Sequence, residues 1–524
     1  MHVDSVIAKN AVITTPKADA TEAGYQVLKE GGTAIDALIT AGAVMSVTSP
    51  HMVGLGGDAL WMLNHKKHIS TISGIGQAGQ RLPHGGKIQL RGNDSIATTA
   101  AAVASWHTAY EISQSRWHSK LPWSRLLEPA IELARDGCKV SDSQVFWQEK
   151  RKQLIKESPD LQRICENADA NPFNVGDHLY QPSLANSLES LSRHGGQSFY
   201  TGELGDALAQ GFSERDLCLT ADDLAATRAP ELEPLQSSYR NGHLYNVMPP
   251  SQGITTLHAL SILNQFNLNQ LRDNPSDYYH LMVEAIKTSL KQRNLSLCDP
   301  SFQHLNTNDW LNNAAKDAAN IDLQKAAGWA DVSQPADTAW MSAIDPDGHS
   351  VSLIQSLYYD WGSACMIGDT GILWHNRAAG FSTVADHANA WSPGKRPAHT
   401  LNPSLYIRDN GEHTLFGSQG GDGQPQTQTV LATQLFDFNN SICDSLYAPR
   451  FLLGRSFFDS DDNLKIEAHL DPLVVQQLRD RGHDIEIIPE LSPLAGLAGI
   501  ARINSNGTRE AMHDPRGDGL TLGF

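Results

Sequence analysis

The chain has 524 residues, with 40 Lys and Arg against 58 Asp and Glu and a formal net charge of −18 at pH 7. That length supports a large core, and an acidic balance without any basic run excludes a surface built for nucleic acid or an anionic membrane, where phosphates need clustered Lys and Arg. Cys138, Cys165, Cys218, Cys298, Cys365 and Cys443 are scattered with no C-x-x-C pair, which points to reduced structural thiols rather than a zinc knuckle or a disulfide scaffold.

The start, Met1 to Asn10, has no basic stretch leading into a long apolar core, and no later stretch has the length of a spanning helix. A soluble, cytoplasmic protein is therefore expected. Thr21 to Leu28 reads as an amphipathic helix stopped at Gly31-Gly32, and Ala34 to Met45 as a more apolar one. Gly54-Leu-Gly-Gly-Asp58 has a helix before it and the apolar strand Ala59 to Leu63 after it. That is the reverse of a dinucleotide-binding turn, so it reads as a tight turn between packed elements. Leu126 to Ala134, Tyr278 to Leu290 and Pro472 to Arg481 read as helices, and Asn306 to Ala336 as a polar, flexible connection.

That connection leads into Thr338-Ala-Trp-Met-Ser-Ala-Ile344, which alternates with the period of a half-buried strand. Pro346-Asp347-Gly348 is a tight-turn signal and Val351 to Ser356 supplies the return strand, so the hairpin would bring Ser356 back beside Thr338. A threonine hydroxyl is a weak nucleophile, but at a chain terminus it has a base in its own α-amino group, whose reference pKa is about 8. Cutting between Asp337 and Thr338 would create that base. Further on, Gly417-Ser-Gln-Gly420-Gly421-Asp-Gly423 leads from a strand into a helix over Thr427 to Phe436, so its backbone N–H groups could face an anion. The 21 histidines form no H-E-x-x-H, and His51, His349, His375, His399 and His513 fall in separate segments. Neither a metal nor a cofactor is expected.

The segment from Asp337 to Ser352, with Trp361-Gly-Ser363 and Thr370 to Asn376, resembles the small-subunit start of the γ-glutamyltranspeptidase family. Pro393 to Pro397, Gly417 to Gly421, Ala448-Pro-Arg450 and Asp514-Pro-Arg516 follow in the family's order. Gly31 to Ala37, Gly54 to Asp58, Thr220 to Leu224 and Pro249 to Ile254 extend the resemblance over nearly the whole chain. It implies the four-layer αββα fold of N-terminal nucleophile hydrolases in one intertwined unit. Self-cleavage would yield a large subunit, 1–337, with a flexible tail at about 306–336, and a small subunit, 338–524. A pairing of two such heterodimers is left open. Thr338 would be the nucleophile, Ser356 would orient it, and Gly420 and Gly421 would form the oxyanion hole.

Departures from the pattern bear on the substrate. Where the family carries an arginine for the glutamyl carboxylate, this chain has Ser73-Gly-Ile-Gly76. Where it places an acid for the glutamyl amine, the chain runs Asn376-Arg377-Ala-Ala-Gly380, and its paired serines are replaced by His399-Thr400. A pocket without those charges discriminates poorly for a γ-glutamyl group. With Arg377 as a fork for a carboxylate, and with Thr338-Ala-Trp-Met, Ile354 to Tyr358 and Gly420 to Gln426, the chain is similar to the oxamate amidohydrolase branch of the family. The resemblance implies hydrolysis of oxamate or a similar small carboxylated amide, with Tyr358, His399 and Thr400 shaping the pocket around Arg377. The alternatives are a γ-glutamyl hydrolase or transferase acting on glutathione-like substrates, and an unprocessed protein that only binds.

Overall fold

The computed structural model describes residues 3–66, 68–329, 337–456 and 460–524. Two antiparallel seven-stranded sheets form its centre. One runs, edge to edge, through Leu520–Gly523, Val12–Thr15, Asp337–Ile344, Ser350–Tyr358, Asp58–His65, His68–Gly74 and Glu231–Leu232; the other through Val6–Ala8, Arg509–His513, Ala498–Ile503, His413–Ser418, Ser404–Arg408, Gly242–Asn246 and Leu235–Tyr239. Both sheets draw strands from each side of the Asp337–Thr338 bond.

Apolar residues between the sheets come from both, as in the cluster of Met62 and Ile69 with Leu405 and Leu415. The outer face of the first sheet carries helices that include Ala18–Lys29, Ala34–Thr48 and Trp123–Asp136, and the outer face of the second carries Gly253–Leu263, Pro275–Ser296 and Gln424–Ala432. Each sheet thus buries two faces, which gives the αββα layering. The expected fold is the observed one. No helix among the described residues is long and apolar enough to cross a membrane.

Local chemistry explains the elements that support the hairpin. Thr33 caps the helix Ala34–Thr48 by accepting the Asp36 N–H at 3.2 Å, while the Asp36 carboxylate accepts the Thr33 N–H at 2.9 Å. At the turn, the Asp345 carboxylate accepts the N–H groups of Asp347 and His349, both at 3.0 Å, and that of Ala34 at 3.1 Å. The turn is thereby fastened to the first residue of a buried helix.

Within the connection expected to be flexible, Thr307–Asn312 and Ala314–Ala319 are short helices. The Asp322 carbonyl is bonded to His280 Nε2 at 2.8 Å. The Ala327 carbonyl accepts from Lys287 Nζ at 2.7 Å, and Trp329 Nε1 donates to Asp462 Oδ1 at 2.7 Å. Residues 330–336 lie outside the described residues.

Candidate active site

Thr338 is the second residue of the strand Asp337–Ile344 and is fully buried in the uncut chain. The hairpin register shifts there: Asp337 faces Tyr358 and Ala339 faces Gln355, so Ser356 and Leu357 together lie across from Thr338. This β-bulge puts one extra residue on the return strand opposite Thr338, a common device for re-aiming side chains beside a site. Ser356 Oγ accepts the N–H of Tyr358 at 2.7 Å, and Tyr358 takes a φ of 78°, in the left-handed region. The hairpin therefore does bring Ser356 and Tyr358 to the start of the strand Asp337–Ile344.

Sheet packing places the glycine loop opposite. Thr338, Trp340, Ser342 and Ile344 share one face of their strand. Ile344 clusters with Ala501, while Trp340 lies against Gly417 and Gly499, at each of which a Cβ would overlap its indole. Because Leu415 pairs with Ala501 and Gly417 with Gly499, stepping from Ile344 back to Trp340 moves toward the end of the strand His413–Ser418. Two more residues carry Thr338 to the loop that opens at Gln419.

That loop is held from several sides. Gln419 N–H donates to the Leu497 carbonyl at 2.8 Å, and Gln252 Nε2 donates to the Gly421 carbonyl at 2.8 Å. Arg293 grips the Asp422 carboxylate through Nη1 at 2.6 Å and Nη2 at 3.1 Å. Gly420 has φ 111° and Gly421 φ 53°, values that favour glycine. Among the described residues, neither glycine's N–H donates to a protein acceptor. Both amides lie at the start of the helical turn Gly421–Gly423.

A cavity of about 240 Å³ is lined by Tyr358, Arg377, His399, Thr400, Asp422 and Arg293, among others. Arg377 is 2 % exposed. Its Nη1 donates to Thr400 Oγ1 at 3.4 Å, its guanidinium carbon lies 3.3 Å from the Tyr358 ring centroid, and its Nε has no hydrogen-bond partner. It meets no carboxylate within ion-pair distance among the described residues, whereas Arg293 is paired with Asp422. Other lining groups are committed to one another: His387 Nε2 to the Asn294 carbonyl, Asn389 Nδ2 to the Gly380 carbonyl, and Gln252 Oε1 to Arg293 Nη1.

His399 lines the cavity with its ring nitrogens turned inward. The Leu401 N–H donates to Nδ1 at 3.3 Å, so the proton sits on Nε2, which donates to Asp58 Oδ2 at 3.2 Å. Burial pushes this imidazole down to about 4, against the pull of Asp58. Asp58 itself was not singled out from sequence. Its Oδ1 accepts the N–H groups of Gly76 at 2.9 Å and Ala101 at 3.1 Å, and His375 Nδ1 lies 3.5 Å from its Oδ2. Burial opposes its charge, but the two imidazoles and the backbone amides outweigh that and hold the carboxyl below its usual range. A signal existed in the sequence: an acid opening the apolar run Ala59 to Leu63 must find partners, because a buried charge without them is too costly.

Among the described residues, one group elsewhere has metal-ligand spacing: His280, Glu284 and His483, all buried. The two imidazoles are paired with each other, His280 Nδ1 with His483 Nε2 at 2.8 Å, and Glu284 Oε1 accepts from Lys287 Nζ at 2.8 Å. Glu284 Oε2 also accepts the Ala327 N–H at 3.1 Å, so His280 and Glu284 together clamp residues 322–327.

The family profile described as Gamma-glutamyltranspeptidase matches residues 20–524. The chain belongs to this family. Among its curated relatives, the oxamate amidohydrolase proenzyme of Klebsiella pneumoniae is 35% identical over 532 residues, covering 100% of both chains. The glutathione hydrolase-like YwrD proenzyme of Bacillus subtilis is 34% identical over 529 residues, covering 99% of both. The crystal structure of cephalosporin acylase from Bacillus halodurans superposes with a TM-score of 0.90 at 26% identity, covering 100% of this chain and 97% of that one. This γ-glutamyltranspeptidase-family chain is thus a hydrolase, and its relatives differ in what their names say they act on.

Proposed function

We propose that the protein is a self-cleaving threonine amidohydrolase whose substrate is a small amide bearing a carboxylate, with oxamate the best fit. The observation that carries this reading is Arg377, a buried guanidinium in the cavity wall with no carboxylate partner among the described residues, beside polar groups already satisfied by one another. A buried charge left in that state calls for a counter-charge from the ligand. Two relatives described as proenzymes support maturation by cleavage.

In the uncut chain, Thr338 Oγ attacks the Asp337 carbonyl carbon, the C–N bond breaks, and water opens the resulting ester. This leaves residues 1–337 with a carboxylate and Thr338 with a free amine. In the mature enzyme that amine takes the Oγ proton as Oγ attacks the substrate amide. Ser356 holds the hydroxyl in place, and the N–H groups of Gly420 and Gly421 receive the oxyanion. The proton passes to the leaving nitrogen, ammonia departs, and water hydrolyses the acyl ester. Arg377 binds the carboxylate, with Thr400 and Tyr358 fixing its fork and His399 forming the wall.

The cavity has room for roughly eight waters at about 30 Å³ each, more than oxamate fills, so larger monoamides of dicarboxylic acids belong in the same test. Ammonia release should be measured from oxamate, oxamide and succinamate, beside nitroaniline release from γ-glutamyl-p-nitroanilide, with Thr338→Ala as blank. A carboxylated amide should lead by kcat/KM. If the γ-glutamyl substrate led instead, the reading would fall.

A further inference from the structure

We propose that Asp58 is the positioning residue that sets carboxylate recognition at Arg377, an inference that rests on the reading of Arg377 as the substrate's anchor. Three segments of this chain depart from the γ-glutamyl pattern: Ser73 to Gly76, Asn376 to Gly380, and His399-Thr400. Two of them donate directly to one carboxylate, and His375, the residue just before the third, lies against it.

Gly76 donates its N–H to Asp58 Oδ1. His375, two residues before Arg377, lies against Oδ2, and its other ring nitrogen is bonded to Thr98 Oγ1 at 3.2 Å. His399 donates to the same Oδ2, and the next residue, Thr400, accepts from Arg377 Nη1. Asp58 is also paired in register with Ser356, so the hub is fastened to the strand that faces the nucleophile.

The two glycines before it explain why it can sit there. A Cβ on Gly56 would overlap the Leu373 carbonyl and one on Gly57 the Ser356 carbonyl, so the turn hugs both segments. With Asp58 1 % exposed and His399 2 %, these contacts leave the wall little freedom. Asp58 touches no substrate. It fixes the imidazole of His399, and through it the threonine hydroxyl that holds the guanidinium.

A double-variant cycle on the processed enzyme tests this. Wild type, Asp58→Asn, Arg377→Ala and the pair are assayed for KM and kcat with oxamate and with neutral oxamide, and titrated calorimetrically with oxalate. Asp58→Asn should raise KM for oxamate and weaken oxalate binding about tenfold, keep kcat within about threefold, and add almost nothing to Arg377→Ala. Additive losses in the pair, or an equal loss on oxamide, would mean that Asp58 supports the fold generally and would overturn the proposal. Should Asp58→Asn fail to fold, Thr400→Val decides: it cuts the last link, and the same selective rise in KM for oxamate is expected. An unchanged KM overturns the link. Oxalate titration needs no turnover, so a wild type that binds oxalate yet ignores oxamate rejects the substrate while the cycle still decides on Asp58.

Discussion

The guanidinium carbon of Arg377 stands 3.3 Å from the centroid of the Tyr358 ring, close enough for the aromatic face to hold the cation without using its N–H donors. The bulge and the left-handed backbone of Tyr358 put that ring there, so the bulge opposite Thr338 and the cavity wall at Arg377 share one residue. Arg377→Lys keeps the charge and loses the fork. It should raise KM for oxamate about tenfold, and Arg377→Ala about a hundredfold, while self-cleavage continues. Steady-state ammonia release with a gel of each variant checks both. Normal oxamate processing by Arg377→Ala would remove the anchor role.

In the proposed mechanism, maturation depends on the hydroxyl at the head of the strand. Purified wild type should run as fragments 1–337 and 338–524, the smaller starting Thr-Ala-Trp-Met, and Thr338→Ala should stay whole. N-terminal sequencing is the measurement, and a different start would refute the cut.

In the loop after His413–Ser418, Gly421 combines φ 53° with an N–H that has no protein acceptor among the described residues. Gly421→Val strains the backbone and turns that donor away, so kcat should fall about a hundredfold or more, with KM little changed. Gly417→Val should act differently, because the added side chain collides with Trp340 and pushes the two sheets apart. It should lower the melting temperature and reduce self-cleavage. Turnover within a few-fold in a folded, cleaved Gly421→Val would show that the loop is not catalytic.

Stability should fall with acid in a defined window. Burial pushes His51 and His483 down to about 3 and His399, His413 and His513 to about 4. These imidazoles are neutral in the fold, while in the unfolded chain they take protons near their ordinary value of about 6.5. The unfolded state therefore binds more protons between about pH 6.5 and 4, and stability rises with pH across that range. Asp58 works in the same direction at lower pH: its depressed carboxyl contributes above about 3.9 and loses that contribution as the pH drops further. Melting temperatures from pH 8 to 4 should be flat down to about 7 and then decline steadily. A flat profile to pH 5 would contradict the neutral, buried state of these residues.

The hairpin at Thr338 was legible in the chain because strand period and turn chemistry are local: alternation from Thr338 to Ile344, then Pro-Asp-Gly, leaves little choice of structure. The helices around Ala34, Leu126, Tyr278 and Pro472 were legible for the same reason: the observed ends differ from the expected ones by three residues or fewer, except that the helix begun at Pro275 runs on to Ser296. Arg377, Tyr358 and Thr400 could be named from the family pattern, though not their mutual contacts. What only the folded chain decided is long-range. The bulge opposite Thr338 is a relation between two strands, so neither strand's own sequence reveals it. The glycine turn before Asp58 read as a plain connector, since its purpose lies in carbonyls some 300 residues away. Asp58 gains its meaning from His375 and His399, which come to it on loops pinned at the Gly56 and Pro250 carbonyls, and the direction in which an imidazole turns its nitrogens is set by those partners rather than by its neighbours in sequence.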